Sequence, residues 1–477
     1  MALDVPPGTP HRQRAGRRLA TLLGIGLIAL AVGLSLGGLA SGRLSLGAVA
    51  AAADSGPSPV PTANVTPTPA PVPTPAPTSI PAASLQARLD ALRLQYHVPG
   101  VSVTIIWPDG RTWIGVKGWA DVGRHVPVVT GTAFAVGSVS KTFLAALILQ
   151  LVAENRLSLD DPVLRWLPAA KVRSGVTIRE LLDHTSGLYD FFANPNIDAA
   201  ILADKRRTWT PAQALAYMRS PGYCAAGICW HYSNSNYVLL GQVVQRVTGN
   251  PVATELRRRF FDPLRLTRTF VQGAEARRGT VATSYQLLGP ESRVRTVSQS
   301  DGTAISPFTS VVTAAGAAGA IAASSGDLAR WARDLYGGAV LRPDALASML
   351  DVSPSLGAGS AIPYGLGAQE VWLGGRRTVG HSGRLIGAGA SMRYLADSGF
   401  SIAVLTNQDR VGPDVFAAGL LDIVIPPPPP TPAPSLSVIP VPTPPGTPAQ
   451  TAAPSASSSL TPVPSPAALP VPTPPSP

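Results

Sequence analysis

The 477-residue chain is basic, with 38 lysine and arginine side chains against 27 aspartates and glutamates, a formal charge of +11 and a pI near 10.1. Its 50 prolines gather mostly in two flanking tracts, so a length that would suit two or three average domains reduces to one stretch of mixed composition, residues 82–425, large enough for a substantial core. The charge does not read as a nucleic-acid footprint, because the arginines are scattered, the lysines number four and no zinc-ligand spacing, helix-turn-helix or RNA-binding signature is present; an anionic cell wall is the simpler partner.

Residues 1–18 carry Arg12, Arg14, Arg17 and Arg18 and read as a basic cytoplasmic N-terminus. Residues 19–40 are uncharged and mostly apolar, long enough to span a bilayer and longer than the usual core of a secretory signal. They predict a membrane anchor with an exported remainder, while Ala48-Val49-Ala50 keeps a cleaved signal peptide open. Gly33-Leu34-Ser35-Leu36-Gly37, inside this segment, has the form of a nucleophile elbow but lacks the strand before it and the helix after it that such a turn needs. Residues 41–81 form a linker, Pro/Thr/Ala-rich from Pro57, and residues 426–477 a Pro-rich tail. Neither can bury enough apolar surface to order itself.

The folded stretch opens with Leu85, Leu89, Leu92 and Tyr96 at helical spacing. Strands are expected over residues 100–107 and 112–118, joined at Pro108-Asp109-Gly110 as a hairpin. A strong helix former follows Ser138, closing near Asn155. The middle reads as helices and loops, including a helix over residues 327–336 that Ser324 or Ser325 caps. Strands over residues 388–395 and 400–406 precede a final helix over residues 413–423. Strands at both ends with helices between predict one sheet assembled from distant parts, an α+β fold with a mostly helical lobe.

Three short motifs carry chemistry. Ser138-Val139-Ser140-Lys141 places a lysine one helical turn from a serine. A serine hydroxyl is a weak nucleophile that needs a partner to take its proton. A buried lysine can lose its proton where an arginine cannot, and this chain uses only Lys117, Lys141, Lys171 and Lys205 against thirty-four arginines. Tyr232-Ser233-Asn234 and His381-Ser382-Gly383 follow in that order. Singly, each would pass for packing or capping residues. Cys224 and Cys229 are too widely spaced for Cys-x-x-Cys redox chemistry. With His231 they supply at most three zinc ligands, so a local disulfide in an oxidising compartment is expected, with two buried thiols as the alternative.

In the order Ser-x-x-Lys, Tyr-x-Asn, His-x-Gly the chain resembles the serine β-lactamase and penicillin-binding protein superfamily, on the branch of class C β-lactamases, D-Ala-D-Ala carboxypeptidases and esterases. Residues 157–163, 181–188, 262–264, 364–367 and 403–407 add to the likeness. The resemblance implies a β-lactamase-like fold and an exported serine hydrolase acting through an acyl-enzyme, with peptidoglycan-type D-amino-acid peptides favoured, and esters or β-lactams as alternatives. A non-catalytic envelope sensor is the reading of another class. By position, Ser138 would be the nucleophile, with Lys141 and Tyr232 sharing acid–base work. Asn234, His381 and Gly383 would bind substrate, and the backbone N–H groups of Ser138 and Arg384 would form the oxyanion hole. The resemblance implies no metal and no cofactor. His381 stands where β-lactamases of this branch carry lysine, which predicts slow β-lactam turnover. Arg384 replaces a usual glycine and is expected to border the site with a bulky cation, unless its side chain points away. His184 and Ser186 are expected to be structural.

Overall fold

The computed structural model describes residues 79–425. The expected membrane or signal segment, the Pro-rich tail and nearly all of the linker lie outside them. Among the described residues no helix is long and apolar enough to cross a membrane.

The sheet joins the two ends of this region. Its strands are β1 (Gly100–Ile106), β2 (Thr112–Asp121), β3 (Val126–Pro127), β4 (Gln369–Leu373), β5 (Arg376–Leu385), β6 (Ala388–Leu395) and β7 (Phe400–Thr406). All neighbours are antiparallel, in the order β3-β2-β1-β7-β6-β5-β4. The central pairing aligns Val103 with Val404. Asn407 Oδ1 accepts from Gly100 N at 2.6 Å and so ties down the start of β1.

Every residue of β1 is buried because both faces of the sheet are covered. Val101, Val103 and Ile105 pack with Leu85, Leu89 and Leu92 of α1 (Ala82–Gln95) and with Phe416 and Leu420 of the C-terminal helix Asp414–Val424. Ser102 and Thr104 alternate to the other face, where both hydroxyls meet Ser325 Oγ at 2.8 Å. Ser325 begins the helix Ser325–Tyr336, which Ser324 caps by accepting from Asp327 N. Behind it lies the helical lobe, built round α2 (Ser140–Ala153). This helix is buried from Ser140 through Leu149, as expected of one apolar on all sides. The helix Asn234–Thr248 packs beside it and closes at left-handed Gly249.

The hairpin, the Ser138 helix, the last two strands and the final helix form where the sequence predicts them. The pattern does not mark β4 and β5. In β5, Arg376-Arg377-Thr378-Val379-Gly380-His381-Ser382-Gly383 is poor in strand-forming residues, so its conformation comes from tertiary contact. Part of that contact is electrostatic. Fully buried Arg393 of β6 pairs with Asp414 at 2.9 Å, and Asp414 also accepts from Ser382 Oγ at 3.0 Å. Asp414→Ala would leave the Arg393 guanidinium buried without its counter-charge. The expected loss is about 3 kcal/mol of unfolding free energy, read from guanidinium-induced unfolding; an unchanged midpoint would show that β5 does not lean on this pair.

Candidate active site

Ser138 lies in a 3-10 turn, Gly137–Val139, that runs straight into α2. It is half-buried, between buried Gly137 and Val139. Lys141, one turn on, has no exposed surface. Its Nζ donates to Ser138 Oγ at 3.1 Å, Asn234 Oδ1 at 2.9 Å and the Ala318 carbonyl at 2.9 Å, which are three acceptors for three ammonium protons. Burial lowers its pKa to about 7, with the Asp190 carboxylate pulling the other way. The nearest partner of the serine is therefore a base that is part neutral at neutral pH.

Tyr232 and Asn234 enter from the approach to the helix Asn234–Thr248. Asn234 is its first residue, so one amide can face Lys141. Its Nδ2 donates to Asp190 Oδ2 at 3.0 Å, while Asp190 Oδ1 accepts from Asn234 N at 3.1 Å and Phe192 N at 3.2 Å. Burial raises Asp190 to about 6, against these hydrogen bonds and the Lys141 charge. Tyr232 is placed differently from a simple lysine partner. Lys141 Nζ sits 4.9 Å from its ring centroid, over the ring. Its Oη is buried without a hydrogen bond among the described residues. Burial raises the phenol well above its ordinary range, only partly eased by the nearby Ser138 hydroxyl. Tyr232 is thus a proton donor at neutral pH, and Lys141 the better acceptor.

The third motif lies on β5. Gly383 allows this strand to touch the nucleophile turn: a Cβ there would stand 1.8 Å from the Val136 carbonyl and 3.2 Å from Ser138 N. Gly137, at φ +50°, lies against Arg384 in turn: a Cβ there would stand 2.7 Å from Arg384 N. The backbone N–H groups of Ser138 and Arg384 are therefore neighbours. Ser382 N points off the β4 edge of the strand to Gln369 Oε1 at 2.9 Å, and the alternation of a strand puts Arg384 N on that edge too, beyond the last β4 pairing at Gly380.

His381 is buried. Its Nδ1 lies 2.5 Å from the Ser382 carbonyl, which can only accept, so the proton is on Nδ1 and Tyr364 Oη donates to Nε2 at 2.9 Å. Burial and the Lys141 charge push it down to about 3, which leaves it neutral in the physiological range. The Arg384 side chain is exposed and its charge acts on Asp409; strand alternation sends it off the sheet face of Ser382, the one of two expected outcomes in which it points away, whereas Gly383 faces Ser138.

His184 and Ser186 support the site from below. His184 is buried. Its carbonyl accepts from His231 N at 3.0 Å and its Nδ1 from Ser233 N at 3.2 Å, pinning the Tyr232 segment on two sides. Ser186 Oγ donates to Asn236 at 2.8 Å. Cys224 and Cys229 form a disulfide, and their loop packs on the same stretch through Tyr223 N to Gly187 O at 2.7 Å and Gly227 N to Thr185 O at 2.9 Å. The motifs do not reveal Asp190, Tyr364 or the Ala318 carbonyl; a carboxylate two residues beyond Leu188, at the end of the His-Thr-Ser-Gly stretch, was the one available signal for Asp190. Among the described residues no group of three His, Cys, Asp or Glu side chains is arranged to hold a metal ion.

A family model described as Beta-lactamase matches residues 82–424. Penicillin-binding protein 4 of Amycolatopsis lactamdurans is 34% identical over 208 residues, covering 43% of this chain and 52% of that protein. A D-aminopeptidase of Cereibacter sphaeroides is 27% identical over 333 residues, covering 68% and 60%. The chain thus spans between half and three fifths of the length of these two relatives. Among solved structures, a D-stereospecific amidohydrolase from Streptomyces sp. superimposes with a TM-score of 0.60 at 30% identity, covering 72% of this chain and 98% of that one. With its antiparallel sheet, its helical lobe and the family match across the folded region, the chain belongs to the Beta-lactamase family, among the serine hydrolases of the β-lactamase and penicillin-binding protein superfamily.

Proposed function

We propose that this protein hydrolyses amides, esters and short peptides of D-amino acids through an acyl-enzyme on Ser138. The observation that carries the reading is the fully buried Lys141 ammonium position, 3.1 Å from Ser138 Oγ. Ser138 Oγ attacks the acyl carbon while its proton passes to Lys141 Nζ. The oxyanion forms against the N–H groups of Ser138 and Arg384, where a single donor is typically worth about a hundred- to a thousandfold in rate. Collapse expels an amine or alcohol that takes a proton from the Tyr232 hydroxyl, leaving a phenolate near the Lys141 ammonium; the attacking water reprotonates it in deacylation, while Lys141 returns its proton to Ser138. Water then releases the acyl group by the reverse proton path. The similarity to a D-aminopeptidase and a D-stereospecific amidohydrolase supports a D-configured acyl group. The disulfide supports an oxidising compartment, and the basic N-terminus with the apolar residues 19–40 supports export with a membrane anchor, next to peptidoglycan-type peptides.

Charge narrows the substrate further. A lysine in the third motif would offer a fixed cation to a substrate carboxylate. Here His381 is neutral and bonded internally, and Arg384 leaves on the other sheet face. Substrates whose recognition leans on a carboxylate should therefore fare worse. Across a p-nitrophenyl ester, D-alanine amide, a D-Ala-D-Ala peptide and nitrocefin, nitrocefin is expected to show the lowest kcat/KM. If nitrocefin instead leads by a wide margin, the protein is a β-lactamase and the charge argument fails. In the same panel Tyr232→Phe should cost about a hundredfold or more on the amide, and much less on the p-nitrophenyl ester, whose leaving group needs no proton.

Lys141 also dictates a pH profile. Below about 7 it is an ammonium that cannot accept the serine proton; above that value it is increasingly neutral. The kcat/KM should therefore rise with pH through an apparent pKa near 7 and stay level into the alkaline range. His184 and His381 are both held neutral by burial and add no limb of their own. A profile flat between pH 5 and 9 would exclude Lys141 as the proton acceptor.

A further inference from the structure

Asp190 belongs to none of the three motifs, yet it is the carboxylate whose charge acts on Lys141. It follows the His-Thr-Ser-Gly loop and caps the 3-10 turn Phe191–Ala193 through Phe192 N. Both of its oxygens are committed, Oδ1 to two backbone N–H groups and Oδ2 to Asn234 Nδ2. That last bond decides which end of the amide faces the lysine. A carboxylate can only accept, so Asn234 must turn Nδ2 to Asp190 and Oδ1 to Lys141 Nζ, which sits 2.9 Å away. The Lys141 ammonium, which can only donate, favours the same orientation; once Lys141 is neutral its amine can also accept, and only the Asp190 carboxylate still fixes the amide.

We propose that Asp190 is a positioning residue for the Ser138–Lys141 pair, locking the Asn234 amide as the acceptor of Lys141 and supplying the negative charge that holds the lysine in place. The proposal rests on the serine-hydrolase reading but can be tested apart from it. Other groups face this relay. Asp198, from the helix Pro195–Ala203, is a like charge that bears on Asp190, and Tyr223, from the disulfide loop, accepts from Asp190 N at 3.3 Å. Tyr232 and Tyr237 present ring faces to Lys141, and His184 and His381 face it as neutral rings.

With four lysines in the chain, selective 13Cε-lysine labelling gives a spectrum in which Lys141, identified by its loss in Lys141→Arg, can be titrated directly. In Asp190→Asn the Lys141 midpoint should fall by roughly one pH unit, because the ammonium loses its counter-charge. The acid limb of kcat/KM should move down with it. A purely structural role would lower the plateau and leave both midpoints where they were. Combining Asp190→Asn with Asn234→Asp moves the carboxylate onto the ammonium itself, and this variant should titrate above the wild type. The opposite sign of the two shifts guards against a single variant that folds poorly. A Lys141 midpoint that stays at the wild-type value in either folded variant overturns the proposal. Absence of turnover with an intact NMR shift would instead reject the hydrolase reading and leave the Asp190 relay standing.

Discussion

A lysine with no exposed surface has to be given three acceptors or give up its proton, and the architecture of this site follows from that constraint. Its stem is held by α2, whose apolar sides are buried in the helical lobe. Its three partners come from three separate places: the nucleophile turn, the first residue of the helix Asn234–Thr248, and the Ala318 carbonyl at the end of a short turn. None of these can move without stranding the charge. The same burial that makes the ammonium costly brings its pKa to where proton transfer from a serine is feasible. Stability of the site and its capacity for chemistry are therefore two consequences of one desolvation.

The sheet contributes the other half by contact of bare backbone. Gly383 and Gly137 let β5 and the serine turn meet with no side chain between them, which brings the backbone of Arg384 against that of Ser138. That strand is poor in strand-forming residues and is held from behind by Arg393, Asp414 and Ser382. His381 adds a bond to Tyr364 instead of a charge. The result is a site in which the third motif brings a neutral ring and the Asp190 carboxylate stands behind Asn234 and Lys141.

Much of this is legible in the sequence. Helical spacing of Leu85, Leu89 and Leu92, the Pro108-Asp109-Gly110 turn and the two C-terminal strands carry strong local signals, and all appear. Ser138, Lys141, Asn234 and Gly383 come together as their motif order suggests. What sequence could not give is direction. Nothing in His-Ser-Gly-Arg says that the Arg384 guanidinium leaves by the far sheet face, or that Lys141 lies over the Tyr232 ring instead of at its hydroxyl. Asp190 was hidden for another reason. Its role depends on an amide forty-four residues away, and a lone aspartate after a loop motif reads as a turn residue.

The central claim is that Ser138 is the nucleophile and that Lys141 takes its proton. Peptide mapping by mass spectrometry after reaction with a fluorophosphonate, carried out over a series of pH values, tests both parts at once. One covalent adduct is expected, on Ser138, forming at a rate that rises through pH 7 as Lys141 becomes neutral. An adduct on another residue, or equal labelling of Ser138→Ala, would contradict it.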